Sequence, residues 1–350
     1  MNTATPQHSG FDAFAGPRLS RIVMAHGGGG QLTDALVHQL VLPRLGNPAL
    51  NDLLDAGFTA DGATAITIDS YVVQPLFFPG GDIGRLAVSG TVNDLAVCGC
   101  RPLGLALSLI LAEGLEQRTL DRVLESISRT AQEAGVSIIT GDTKVVGQGH
   151  ADAMYITTAG VGVRREDSRL SMGSIAPGDV LLINGTIGEH GLAVMLAREM
   201  PEVKSVLRSD AAPLNGLLEV LQDAVPGVVF MRDATRGGLA GVCADIATRT
   251  HQQIVLDEAR IPVRTEALHA AEMLGLDPLE IANEGKVVVV VRSGDVRVAL
   301  SAMQSHPLGR GACEIGRVAE TRDGLCVLHT AIGGQRIVQK PYGEQLPRIC

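Results

Sequence analysis

The residues able to do chemistry cluster by type in a few places. The chain ends Leu346-Pro347-Arg348-Ile349-Cys350, so a thiol occupies the last position. A prenylation signal places its cysteine four residues from the end, where this chain has Pro347. A buried thiol sits awkwardly beside a free carboxylate and two prolines, whereas a thiol on a mobile tail suits a carried group. Carboxylates mark three element ends: Asp69 in Ile-Asp-Ser, Asp94 in Val-Asn-Asp-Leu and Asp142 in Gly-Asp-Thr-Lys. An acidic side chain inside an apolar strand is costly unless it meets a cation or backbone donors. Magnesium on nucleotide phosphates needs one or two such groups. Each Asp also fits a helix cap or a turn, and Asp94, 200° of helical rotation from Val92, also fits a solvated face.

Glycine and basic residues supply the complement. His26-Gly27-Gly28-Gly29-Gly30 precedes a helix expected over 32–40. Converging backbone N–H groups and a helix N-terminus there would receive an anion, and a flexible connector has the same composition. No Gly-Lys-Ser/Thr follows, so this is not a Walker A loop. Arg232-Asp233-Ala234-Thr235-Arg236-Gly237-Gly238 reads as a strand-to-helix junction whose arginines can meet phosphate. Asn283-Glu284-Gly285-Lys286 precedes a run of five valines; a turn explains Asn283 and Gly285, and leaves Glu284 less determined. Lys144 stands two residues past Asp142.

The elements that must position these groups alternate between strand and helix. Strands are expected over 64–73, 136–140, 154–163, 180–183 and 228–231, and helices over 83–97, 120–134, 190–199, 213–224, 238–248 and 265–274. The stretch 103–111 fits either. The five valines 287–291 make a strand covered on both faces. Pro177-Gly178-Asp179 opens the second series. The expectation is an α/β protein with an N-terminal segment (1–34), an N-terminal domain (35–168), a C-terminal α/β domain (175–338) and a mobile tail (339–350), because Pro341, Gly343 and Pro347 oppose helix.

Composition excludes several classes. The net charge of −9 and 3% aromatic residues argue against nucleic acid. The longest nearly apolar run, 103–112, is far short of the roughly 20 residues of a membrane helix. Residues 1–16 lack the segments of a secretory signal, and six cysteines in 350 residues make no disulfide framework. A cytoplasmic protein is expected. Cys98 and Cys100 are expected in core packing, since a lone Cys-x-Cys supplies two of four zinc ligands.

Several of these motifs together resemble the HypE family of hydrogenase maturation factors. The similar stretches are 69–102 (DSYVVQPLFFPGGDIGRLAVSGTVNDLAVCGCRP), 141–146 (GDTKVV), 188–191, 232–238, 282–286 and the ending Pro-Arg-Ile-Cys. Cys98 and Cys100 depart from the family's usual residues there. The resemblance implies an aminoimidazole ribonucleotide synthetase-like fold of two α/β (α+β) domains, dimerising through a shared β-barrel. It implies ATP and Mg2+ held by Asp69, Asp94 and Asp142, with Asp55 and Asp233 beside them and Gly27, Gly28, Gly29 and Gly30 over the phosphates. It also implies ATP-dependent dehydration of an S-carbamoyl group on Cys350 to a thiocyanate, with Lys144 and Glu284 stabilising charge and moving protons. The carbamoyl donor would be HypF, and the cyanide would pass to iron on HypC-HypD for a [NiFe]-hydrogenase. Two other readings share parts of this pattern: a sister enzyme phosphorylating a small molecule, of the selenophosphate synthetase or thiamine-monophosphate kinase type, and a non-enzymatic maturation scaffold.

Overall fold

The computed structural model describes residues 21–343 and 348–350, so residues 1–16 and most of the expected N-terminal segment lie outside the described residues. Two sheets divide the chain. In the first half, the short helices α1 (Gln31–Leu36), α2 (Leu42–Leu45) and α3 (Pro48–Asn51) are followed by strands β1 (Gly57–Phe58) and β2 (Thr64–Tyr71) and the small ribbon β3 (Phe77–Phe78) and β4 (Gly81–Asp82). Then come α4 (Ile83–Val97), β5 (Cys100–Ala112), α5 (Gln117–Ala134), β6 (Ile138–Val146) and β7 (Met154–Arg164). The five-stranded sheet has the order β1-β2-β7-β5-β6. The second half contains β8 (Val180–Ile183), α6 (Glu189–Glu199), α7 (Asn215–Ala224), β9 (Phe230–Asp233), α8 (Gly238–Thr250), β10 (Ile254–Asp257) and α9 (Thr265–Leu274). It continues with β11 (Val287–Val291), α10 (Val296–Ser305), β12 (Cys313–Val318), β13 (Cys326–His329) and β14 (Gln335–Val338), and its seven strands run β14-β13-β10-β12-β8-β11-β9.

α4 is the pivot of the site. Asp82 caps it, accepting from the N–H groups of Gly84 (2.8 Å) and Arg85 (3.0 Å), which satisfies two of the donors a helix start leaves open. The helix is buried almost all round, because one side packs on the inner face of the first sheet and the other meets β9 and α7 of the second half. At Gly90 any Cβ would collide with the Tyr71 hydroxyl, so glycine lets α4 approach β2 closely at the point where the carboxylates gather.

β11 is fully buried and antiparallel to both neighbours, with Val288 opposite Ile183 on one side and Arg232 on the other. Valine's branched side chain suits such a strand. β6 runs further than the expected 136–140: it continues through Gly-Asp-Thr-Lys-Val-Val, paired in parallel to β5 with Ser108 opposite Asp142 and Ile110 opposite Lys144. The β-branched Thr143, Val145 and Val146 favour continuing this edge ladder over turning at Gly141. Cys100 is buried beside Ala56, Ala65 and Leu95, with Cys98 packed against them. Burial lifts both thiols, that of Cys100 to about 11. Among the described residues, no helix is long and apolar enough to cross a membrane.

Candidate active site

The carboxylates meet where β2, α4 and the end of β9 converge. Along β2 the side chains of Ala65, Thr67 and Tyr71 point inward, and the two-residue period puts Asp69 on the same face. The Tyr71 hydroxyl donates to Asp69 Oδ2 at 3.2 Å. The Thr67 hydroxyl lies 2.8 Å from both Asp94 Oδ2 and the Asp55 carbonyl. It has one proton to give, and a protonated Asp94 donating to it would satisfy the whole set. Burial first, then Asp69, Asp233 and Asp55, lifts Asp94 well above the usual carboxylate range. Asp233 is pushed up to about 8 by burial, then by Asp55 and Asp69. Glu284 is raised well above its ordinary value by burial, Asp233, Asp210 and Asp69, with Arg236 opposing.

These groups line one cavity of about 220 Å³ together with Thr67, Tyr71, Thr235, Arg236 and Cys350. Arg236 donates to the Gly27 carbonyl at 3.0 Å, and Cys350 foremost, then Asp69 and Glu284, holds its guanidinium above the ordinary value. Asp55 is already engaged by Arg232 at 3.2 Å, and Arg232 also holds Asp245 at 2.8 Å. Among the described residues, no three potential ligands converge into a ready-made metal cage.

The end of the chain enters this cavity from the side. The Val72 N–H donates to a Cys350 backbone oxygen at 3.0 Å, and the Gln74 N–H to the Arg348 carbonyl at 3.1 Å, so the tail extends the backbone pairing just past β2. The Arg348 side chain donates to the Val72 carbonyl and to Gln74 Oε1, and pairs with Asp152 at 2.7 Å. With φ at 57° Arg348 occupies the left-handed region that bulky residues rarely adopt, and this turns Ile349 into the core. His190 on α6 donates from Nε2 to the Ile349 carbonyl at 2.7 Å. Thus the expected tail has a docked seat for its last three residues. Residues 344–347 lie outside the described residues.

Not every expected site residue comes here. Of the glycine run, Gly29 packs against Arg236 and Gly30 against Pro341, but the first open amides of α1 serve the chain itself: Gln31 N–H donates to the Pro341 carbonyl (2.8 Å) and Leu32 N–H to that of Tyr342 (3.0 Å). Lys340 adds an ion pair to Asp34 at 2.8 Å. Asp142 and Lys144 form an exposed pair at 2.7 Å on β6. Through the row Ser70, Thr157, Ser108 and Asp142 they lie three strands from β2, about 14 Å at the usual strand spacing. One chain therefore gathers Asp55, Asp69, Asp94, Asp233, Glu284 and Cys350, and leaves Asp142 and Lys144 apart. Sequence reasoning missed Thr67, Tyr71 and His190; the strand's two-residue period could have found the first two.

Comparison with known proteins places this arrangement. Residues 49–164 match the N-terminal domain and residues 176–327 the C-terminal domain of AIR synthase related proteins. The carbamoyl dehydratase HypE of Rhodobacter capsulatus is 45% identical over 337 residues, covering 95% of this chain and 99% of that relative. The chain belongs to the HypE family of carbamoyl dehydratases. A crystal structure of a HypE-HypF complex superposes with a TM-score of 0.84 at 42% identity, covering 88% of this chain and 100% of that one. A HypE structure in complex with ATP gives 0.79 at 41% identity, covering 93% and 98%. The two-domain α/β architecture expected from sequence is thus that of the HypE family.

Proposed function

We propose that this chain, as a carbamoyl dehydratase, uses ATP to dehydrate an S-carbamoyl group on its own Cys350, giving an S-thiocyanate that supplies cyanide for hydrogenase iron. The observation that carries the reading is Cys350 seated in one cavity with Glu284, Arg236 and four aspartates. The carbamoyl oxygen attacks the γ-phosphorus, forming an O–P bond as the bond to ADP breaks. Loss of one N–H proton leaves a neutral imine, and removal of the second accompanies cleavage of the C–O bond, releasing phosphate and leaving S–C≡N. Glu284 suits proton acceptance, since it shares the cavity with Cys350 and its burial among carboxylates raises its affinity for a proton. Arg236 faces the charge that develops on the phosphoryl oxygens.

The raised carboxylates supply the test of fit for Mg2+: buried acids crowded together favour a bound cation. Asp69 and Asp94, with Asp233 beside them, would hold it, and the ion supplies charge neutralisation on the phosphates. With the tail docked, 220 Å³ is below the roughly 300–1,000 Å³ of small-molecule pockets, so the cavity takes the reacting end of ATP while the rest lies outside. Asp142 and Lys144 would come from a second copy. The outer face of the first sheet exposes Ile66 and Ile68, and pairing that face between two copies would cover them. Gly27–Gly30, next to Arg236, would border the phosphates.

HypF would carbamoylate the sulfur when the tail swings out, and HypC-HypD would take the cyanide, in the cytoplasm, where thiols stay reduced. A kinase for a small molecule has no use for a cavity filled by its own tail, and a scaffold has none for buried acids around a thiol. The test is to incubate the protein with ATP, carbamoyl phosphate and HypF and weigh the C-terminal peptide. A gain of one carbamoyl group, followed by loss of one water only with ATP, is expected. A label on Cys98 or Cys100, or turnover by Cys350→Ala, would overturn the assignment.

A further inference from the structure

We propose that His190 is a positioning residue for the carried group, and that the turn Ser209-Asp210 registers it against Glu284. The inference rests on the dehydratase reading above. His190 has no solvent exposure, and both ring nitrogens are committed. Nε2 faces the Ile349 carbonyl, which only accepts, so Nε2 carries the proton. Nδ1 then accepts from the Ser209 hydroxyl at 2.8 Å. That hydroxyl accepts in turn from the Ala211 N–H at 3.1 Å, which leaves its single proton for the ring. Phe78 packs edge-on to the imidazole with centroids 5.5 Å apart and planes at 80°, and Ser209 N–H holds the Pro79 carbonyl at 2.7 Å.

The next residue makes the second half of the link. Asp210 accepts from the N–H groups of Glu284 (3.1 Å) and Gly285 (3.2 Å) and from Lys286 Nζ (2.9 Å). One turn therefore grips the histidine that holds the carrier and the backbone that presents the base. On the carrier side, the planar Ile349–Cys350 peptide is fixed by His190 and the far side of Cys350 by the Val72 N–H. With both flanks held, the side-chain rotation of Cys350 is the main freedom left to aim the sulfur. Misplacement by about 1 Å can cost on the order of 100-fold in rate.

The experiment compares His190→Gln, whose amide nitrogen reaches the Nε2 position, with His190→Asn, whose amide reaches only the Nδ1 position. Ser209→Ala leaves the donor in place but frees the ring. The readouts are single-turnover water loss from the S-carbamoylated full-length protein, its carbamoylation by HypF, Mg-ATP affinity, the alkylation rate of Cys350 and a melting curve. Expected for His190→Asn is about a 100-fold slower dehydration and faster alkylation, with carbamoylation and nucleotide affinity within about twofold. His190→Gln should recover to within about tenfold of wild type, and Ser209→Ala should fall between them. Equal rates for Gln and Asn at wild-type stability, whether both fast or both slow, would overturn the role of the donor. If neither histidine variant folds, Ser209→Ala at the full wild-type rate does the same. Failure of the wild-type protein to lose water would instead refute the dehydratase reading itself.

Discussion

Replacing Asp233 with asparagine should make the nucleotide-free protein more stable while abolishing its response to Mg-ATP. The carboxyl rises from 3.8 to about 8, with burial as the main cause and Asp55 and Asp69 adding to it. Between those values the native state holds a proton that the unfolded chain has released, so stability is fully present below pH 4 and declines as pH rises toward 8. At pH 7 the gap of roughly 3 pH units, at about 1.4 kcal/mol each, amounts to on the order of 4 kcal/mol. Asparagine has no charge to neutralise but adds an NH2 that needs an acceptor, a debt of about 1–3 kcal/mol when unmet. A net gain of about 1–3 kcal/mol remains. Urea unfolding at pH 5, 6, 7 and 8 without nucleotide or divalent ions measures it: wild type should weaken with pH, and the variant should weaken less steeply. Adding Mg-ATP at about 100 times its dissociation constant should stabilise wild type by about 2.7 kcal/mol and the variant hardly at all. An asparagine variant less stable than wild type, with an unchanged pH slope, would refute the claim that these acids are crowded for the sake of a cation.

Glu284→Gln should accept carbamoyl from HypF and bind ATP but fail to lose water, seen as a C-terminal peptide that stays at the carbamoylated mass. Lys144→Ala and Cys350→Ala should each be inactive alone, and mixing them should restore turnover as exchanged dimers form, since the Cys350→Ala chain lends its lysine; no recovery after verified exchange would place Lys144 outside the partner's site. Asp142→Asn should weaken Mg-ATP in titration calorimetry by removing a hard oxygen charge, and unchanged affinity would remove Asp142 from the site. Residues appended after Cys350 should block dehydration while leaving carbamoylation intact, because the cavity around the sulfur is only 220 Å³; normal water loss by the extended chain would show that the sulfur reacts elsewhere.

Much of the scaffold was legible because local chemistry and tertiary context agree. α4 runs over Ile83–Val97 and β11 over Val287–Val291, as the apolar patterns require. Asp69 stood out as a carboxylate inside a strand and lines the cavity. Asp94 needed the structure, since rotation from Val92 permits solvent, whereas α4 is enclosed from two sides. The separation of Asp142 and Lys144 from the cavity was not legible, because sheet order is set by long-range pairing and β6 lies at the far edge from β1 and β2. His190 was quoted only within a four-residue motif, and its meaning depends on a carbonyl 159 positions away.

The grip of α1 on the Pro341 and Tyr342 carbonyls, backed by the Lys340–Asp34 pair, shortens the leash. Measured from Gly343, the eight residues to Cys350 can span at most about 26–29 Å when fully extended. A short tether converts the return of a loaded sulfur from a search through bulk solution into an intramolecular event, with an effective concentration in the millimolar range. The same shortening confines any partner that loads or unloads the sulfur to a shell around the cavity mouth. The anchor thus trades reach for retention: any partner that acts on the sulfur must come close.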